Sequence, residues 1–133
     1  MGGPAQNIFI HHDLSPNSEK LIALYDSADI FALPTRADLF SVAGLEAMAM
    51  GLPVVMTNVG ATVEIVRDGE SGYIIPIDDE KALADRLLRL VKDKALRSDF
   101  GRKGRKIVEE NINIDKNAEV IVETLKRVSG VTT

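Results

Sequence analysis

The sequence predicts an α/β fold: a short parallel sheet flanked by helices. Two observations lead there. Short apolar runs at residues 7–11, 29–33, 52–57 and 73–76 alternate with segments of helical period. The runs are continuously apolar at their centres, as expected of strands when helices cover both faces of a sheet. No internal repeat or low-complexity stretch interrupts the alternation, so residues 1–133 read as one domain.

Residues 7–11, partly β-branched, read as the first strand, and residues 13–17 as a polar turn containing Pro16. Ser18 is placed to cap a helix with Leu21, Ile22 and Tyr25 on one face. Residues 29–33 form a second strand, ended by Pro34, and a loop follows over 35–40. Residues 41–50 are a helix of small side chains closed by Gly51. Residues 52–57 are a third strand whose early Pro53 is tolerable, because the start of a strand need not donate to the ladder. Gly60 opens a short helix containing Val63, Ile65 and Val66. Asp68-Gly69 and Ser71-Gly72 are turns, and residues 73–76 a fourth strand. Asp78 is the expected cap of an amphipathic helix with Leu83, Leu87, Leu90 and Val91 as its core stripe. Further helices are expected at 94–110 and from about residue 115, the latter with Ala118, Ile121, Val122 and Leu125 on one face.

Composition narrows the function classes. The chain is 45% hydrophobic and 27% charged, with a net charge of −4, which gives no electrostatic reason to expect a nucleic acid partner. It contains no cysteine, so disulfides, thiolate metal sites and cysteine nucleophiles are excluded. No apolar run approaches the ~20 residues that span a bilayer, and residues 1–6 lack the character of a signal peptide. A cytoplasmic location is the expectation. The two histidines, His11 and His12, are adjacent, and a metal site is not expected. They end the first expected strand, where one could face a nucleobase; a structural or solvated role is the simpler reading.

Residues 35–55 carry the chemistry. They read as loop, helix and strand, with the loop at the carboxyl end of a parallel strand, where open α/β sheets place ligands. The first amides of the helix, near Val42, are unpaired and lie at the positive end of its dipole, a setting that favours a diphosphate. Asp38 lies in the loop and Glu46 eight residues later in the helix. Alone, Glu46 reads more simply as a surface carboxylate on a helix, and the surrounding motif is what points to a site. It is not part of a capping box, because the residue three after Ser41 is Gly44. Ser41 reads as a helix N-cap with no base beside it, so a nucleophile role is not expected.

The order Asp38, seven residues, Glu46-Ala47-Met48-Ala49, Gly51, Pro53-Val54-Val55 resembles the signature of group 1 retaining glycosyltransferases of the GT-B type. The segment from Leu24 to Pro34 and the residues Gly60, Glu64-Ile65-Val66, Asp68-Gly69 and Gly72 extend the resemblance over about residues 18–105. It departs from the pattern in having Asp38 where Glu is usual and Ser41 where a glycine is common. The resemblance implies a Rossmann-like three-layer fold, the latter part of a C-terminal donor-binding domain, truncated at its N-terminus. It implies that Glu46 binds the ribose hydroxyls of the donor nucleotide and that Asp38 lies against the donor sugar as the catalytic carboxylate. Backbone amides around Phe40, Ser41 and Val42 would contact the sugar and diphosphate.

The parent enzyme would transfer a sugar from a nucleoside-diphosphate sugar to an acceptor hydroxyl with retention. The nucleotide sugar is a substrate, and no cofactor is implied. The isolated chain would be inactive without the acceptor-binding N-terminal domain, and any peripheral membrane association would come through the parent enzyme. A homodimer, paired through the uncovered edge near residues 7–11, is expected. The rival readings are a non-catalytic Rossmann-like structural or oligomerisation domain and an engineered fragment. The site expectation is geometric: Glu46 should face a cleft at the carboxyl end of the sheet, with Asp38 beside it.

Overall fold

The computed structural model describes residues 9, 11, 18–37 and 42–111. The elements run α1 (Glu19–Ser27), β1 (Phe31–Leu33), α2 (Val42–Ala49), β2 (Val54–Thr57), α3 (Thr62–Ile65), β3 (Gly72–Ile75), α4 (Glu80–Lys92) and α5 (Lys94–Asn111). The expected first strand and last helix fall outside the described residues, apart from Phe9 and His11, both exposed.

Local chemistry sets most boundaries. The Ser18 hydroxyl accepts the Leu21 amide at 3.1 Å and starts α1 as expected. Ser18→Ala should cost about 1 kcal/mol, read as a lower urea midpoint at unchanged slope; an unchanged midpoint would show that the cap is dispensable. At the other end of the motif, Gly51 stops α2 with φ +78°, a left-handed conformation that favours glycine.

The three strands form one parallel sheet in the order β1-β2-β3. Phe31 pairs with Val54, and Val54 in turn with Gly72. Parallel neighbours require a crossover between them, which α2 and α3 supply. Side chains of the central strand alternate between faces. Val54 and Met56 enter one cluster with Tyr25, Leu45, Met48, Ile107 and Val108. Val55 enters the other with Tyr73, Ile75, Leu90 and Phe100. Every residue of β2 is buried, so helices cover both faces and the layering is Rossmann-like. Helix α5 contributes to both clusters.

Three expectations at helices need correction. Asp79, not Asp78, caps α4: its carboxylate accepts the Ala82 amide at 2.9 Å. Asp78 instead adopts φ +59° and pairs with Arg36. In the expected leucine stripe, Leu90 is fully buried and Leu83 and Leu87 pack against the core, but Val91 is 61% exposed. The short third helix ends at Ile65, with Val66 as its C-cap.

The basic residues of α5 lie largely on a solvated face. Arg102 and Lys103 pair with Asp99, Arg105 with Glu109, and Lys106 with Glu110. Hydrogen bonds from Lys103 and Arg102 hold the Asp99 carboxyl below its usual range. Arg97 does more. Its guanidinium donates to the carbonyls of Leu90 and Val91 at 2.7 and 2.9 Å, adding to the Asp93 amide that the Leu90 carbonyl already accepts at the end of α4.

Candidate functional site

The carboxyl ends of the three strands are tied together by side chains. Thr57, the last residue of β2, donates from its hydroxyl to the Thr35 carbonyl beyond β1. Arg36 donates to the Asp78 carboxylate, beyond β3, at 2.7 Å. That ion pair therefore links the segments following the two outer strands. Both of its side chains are exposed, so its contribution to stability is small. The segment after β1 leads into α2, whose first turn accordingly begins at this end of the sheet.

Helix α2 is buried nearly all round. Gly44, Leu45, Glu46, Ala47, Met48 and Ala49 are all buried, while Val42 at its start is exposed. Its sequence, VAGLEAMA, explains the fit: small side chains let β1, β2 and α5 approach on several sides. Glu46 is the one charged residue in that sequence and is only 9% exposed. Burial pushes its carboxyl above the usual carboxylate range. Among the described residues no hydrogen bond or ion pair reaches the carboxylate. The surface-carboxylate alternative for Glu46 is thereby removed.

Tyr25 stands next to it in the site. Its ring is buried in the same cluster and tilted against Phe31, with centroids 6.2 Å apart. Its hydroxyl donates to the Ala43 carbonyl in the first turn of α2 at 3.3 Å. Burial, and then the charge of Glu46, push that hydroxyl up to about 12.

Of the residues expected to act together, the structure describes Val42 and Glu46. Asp38, Phe40 and Ser41 lie outside the described residues, as does His12. Sequence reasoning assigns no role to Tyr25 beyond the apolar face of α1, none to Arg36 or Thr57, and to Asp78 only that of a helix cap. The signal available for Tyr25 was a hydroxyl on an otherwise apolar face, since a buried tyrosine hydroxyl needs a partner. The other three are joined by contacts between residues far apart in the chain, which spacing does not reveal.

Residues 4–107 match the family described as glycosyl transferases group 1. The chain belongs to that family. It is 34% identical over 105 residues to the capsular polysaccharide biosynthesis glycosyltransferase CapM of Staphylococcus aureus, covering 79% of this chain and 27% of that protein. It is 32% identical over 100 residues to the N-acetyl-alpha-D-glucosaminyl L-malate synthase of Bacillus anthracis, covering 75% of this chain and 26% of that one. Among solved structures, it resembles the C-terminal domain of the group 1 glycosyltransferase LpcC from Francisella tularensis. The TM-score is 0.69 at 30% identity, over 81% of this chain and 53% of that one. Sucrose-phosphate synthase from Thermosynechococcus elongatus also gives a TM-score of 0.69, at 28% identity over 86% of this chain and 29% of that one. The chain thus spans about a quarter of the length of these two curated relatives. The likeness to a C-terminal domain agrees with the part of the family fold that the motif implies.

Proposed function

We propose that this group 1 glycosyltransferase chain binds the donor of a sugar transfer, a nucleoside-diphosphate sugar, and that Glu46 takes the ribose. The observation that carries the proposal is the lone carboxylate of α2, buried and without an ion pair or hydrogen bond among the described residues. A desolvated carboxylate is costly unless something hydrogen-bonds to it. Two neighbouring hydroxyls, as a ribose presents them, match its two acceptor oxygens. Its helix starts at the carboxyl end of a parallel sheet, where ligands of such sheets bind.

On this reading Asp38 lies against the donor sugar, and the amides around Phe40, Ser41 and Val42 meet the sugar and diphosphate. The reaction is a sugar transfer to an acceptor hydroxyl with retention, through a dissociative same-face displacement with an oxocarbenium-like transition state. Charge then develops on the departing diphosphate, and oriented amides at the start of α2 stabilise it without reorganising. The acceptor hydroxyl must be held beside the donor, since proximity supplies roughly 7–11 kcal/mol of such a barrier.

Isothermal titration with nucleoside diphosphates and their 2′- and 3′-deoxy forms tests the ribose assignment. The expected result is saturable binding of the ribonucleotide, weakened about tenfold or more by loss of either hydroxyl, as fits hydrogen bonds to a charged group at about 1.5–3 kcal/mol each. Equal affinity for ribo and deoxy forms would overturn the assignment.

A further inference from the structure

The hydroxyl of Tyr25 reaches from α1 to α2 and ends on the carbonyl of Ala43, three residues before Glu46. Residues three apart lie on the same side of a helix. The contact therefore sits on the side of α2 that carries the buried carboxylate. Tyr25 is itself buried, in the cluster that holds Leu45, Ala47 and Met48 on either side of Glu46. The tilted contact with Phe31 of β1 fixes its ring from behind.

Among the described residues, the elements packed around α2 offer Glu46 few polar neighbours. Strands β1 and β2 bring no titratable side chain. Helix α5 turns Gly101, Gly104, Ile107 and Val108 inward, while its Asp99, Arg102, Lys103, Arg105, Lys106, Glu109 and Glu110 pair among themselves along the outer face. On α1, Glu19, Lys20 and Asp26 are exposed. The polar group of α1 that is buried against α2 is the Tyr25 hydroxyl.

We propose that Tyr25 is a positioning residue for Glu46: it fixes the first turn of α2 through the Ala43 carbonyl and fills the space from which water would otherwise reach the carboxylate. The inference rests on the ribose role of Glu46 for its functional meaning, but its structural half stands by itself. A carboxylate kept dry and in place is ready for ligand hydroxyls without first shedding water. The carboxylate lies near enough for its charge to add to burial in raising the Tyr25 hydroxyl, and the burial that raises the Glu46 carboxyl is the property that Tyr25 is proposed to maintain.

The test is carbon-13 NMR titration of the Glu46 carboxyl in the wild-type chain and in Tyr25→Phe, with nucleoside diphosphate affinity measured alongside. Phenylalanine keeps the ring and removes the hydroxyl. The Glu46 midpoint should fall back toward 4.5, its ordinary value, amide exchange in α2 should quicken, and affinity should drop about fivefold. A role confined to packing would lower the melting temperature and leave the Glu46 midpoint in place, and that outcome overturns the proposal. The titration needs no ligand, so a chain that binds no nucleotide would defeat the ribose role while leaving this result readable. Should Tyr25→Phe fail to fold, Glu46→Gln reads the coupling from the other side. The Tyr25 midpoint, followed at its Cζ, should then move down from about 12; an unmoved midpoint would overturn the proposal equally.

Discussion

Glu46→Gln is expected to raise the melting temperature at pH 7 while weakening nucleoside diphosphate binding at least tenfold. The sign of the stability change follows from the direction of the pKa shift. Burial raises the Glu46 carboxyl above its ordinary value of 4.5 in the folded chain, whereas the unfolded chain keeps the ordinary value. The folded state therefore binds the proton more tightly. Stability declines as pH rises through the window between the two values, and the loss persists above it. Glutamine carries no charge, so it escapes that loss at neutral pH, and its advantage should vanish well below pH 4.5. A carboxylate held by an ion pair would behave oppositely, with glutamine less stable at pH 7. The binding loss comes from replacing two acceptor oxygens with one, and from losing the charge that makes each bond worth roughly 1.5–3 kcal/mol. Thermal melts at about pH 3 and pH 7 with parallel titrations separate the two effects. A variant less stable at pH 7 would show that the carboxylate is not held dry. Unchanged affinity would remove the ribose role. A site residue that costs stability and supplies binding is the expected form of a stability–activity trade-off.

Much of this arrangement was legible in the sequence, and the misses have identifiable causes. The alternation of apolar runs and helical period led to a parallel α/β sheet because β2 is buried on both faces, and such strands leave a continuous apolar run. The cap at Ser18 was legible because its partner, Leu21, lies three residues away. Asp78 and Asp79 are equally good caps by sequence. In the structure Asp79 takes the cap, while Asp78 adopts a left-handed conformation and pairs with Arg36, 42 residues away, a contact that spacing does not reveal. Val91 was assigned to the core by an i+8 spacing. At 100° per residue that places it about 80° from Leu83 around the helix, whereas Leu90 at i+7 lies within about 20°. Val91 accordingly turns to solvent and Leu90 does not. For Glu46 the sequence motif pointed to a site, and the physical reason emerged only with the packing: the small residues around it let neighbours close over the carboxylate. Tyr25 needed the packing too, because its partner, Ala43, lies on another helix.

Gly101→Ala is expected to destabilise the chain by about 3 kcal/mol, the upper end of the usual range for overpacking. The expectation runs against helix propensity, which favours alanine over glycine in a helix interior by about 1 kcal/mol. Gly101 lies within α5, and nothing in the sequence shows why a helix should carry it. The reason is the turn that ends α2. A Cβ on Gly101 would stand 1.9 Å from the Gly51 carbonyl oxygen and 2.8 Å from its carbon. Those are backbone atoms, so no rotamer change relieves the clash. Gly51 cannot yield readily, because its φ of +78° and the hydrogen bond that its amide donates to the Met48 carbonyl at 3.0 Å fix the end of α2. Relief requires moving α5 away from α2, which opens the cluster where Met48 meets Ile107 and Val108. Gly104, one turn later on α5, is the internal control. Its Cβ would meet Met48 Cε at 3.6 Å and Ser71 Cβ at 3.7 Å, ordinary contact distances. Gly104→Ala should therefore be neutral or stabilise by up to about 1 kcal/mol, since only the propensity gain remains. Urea denaturation of the two variants side by side decides the matter. Equal stabilities would mean that α5 does not lie against the Gly51 turn as closely as described.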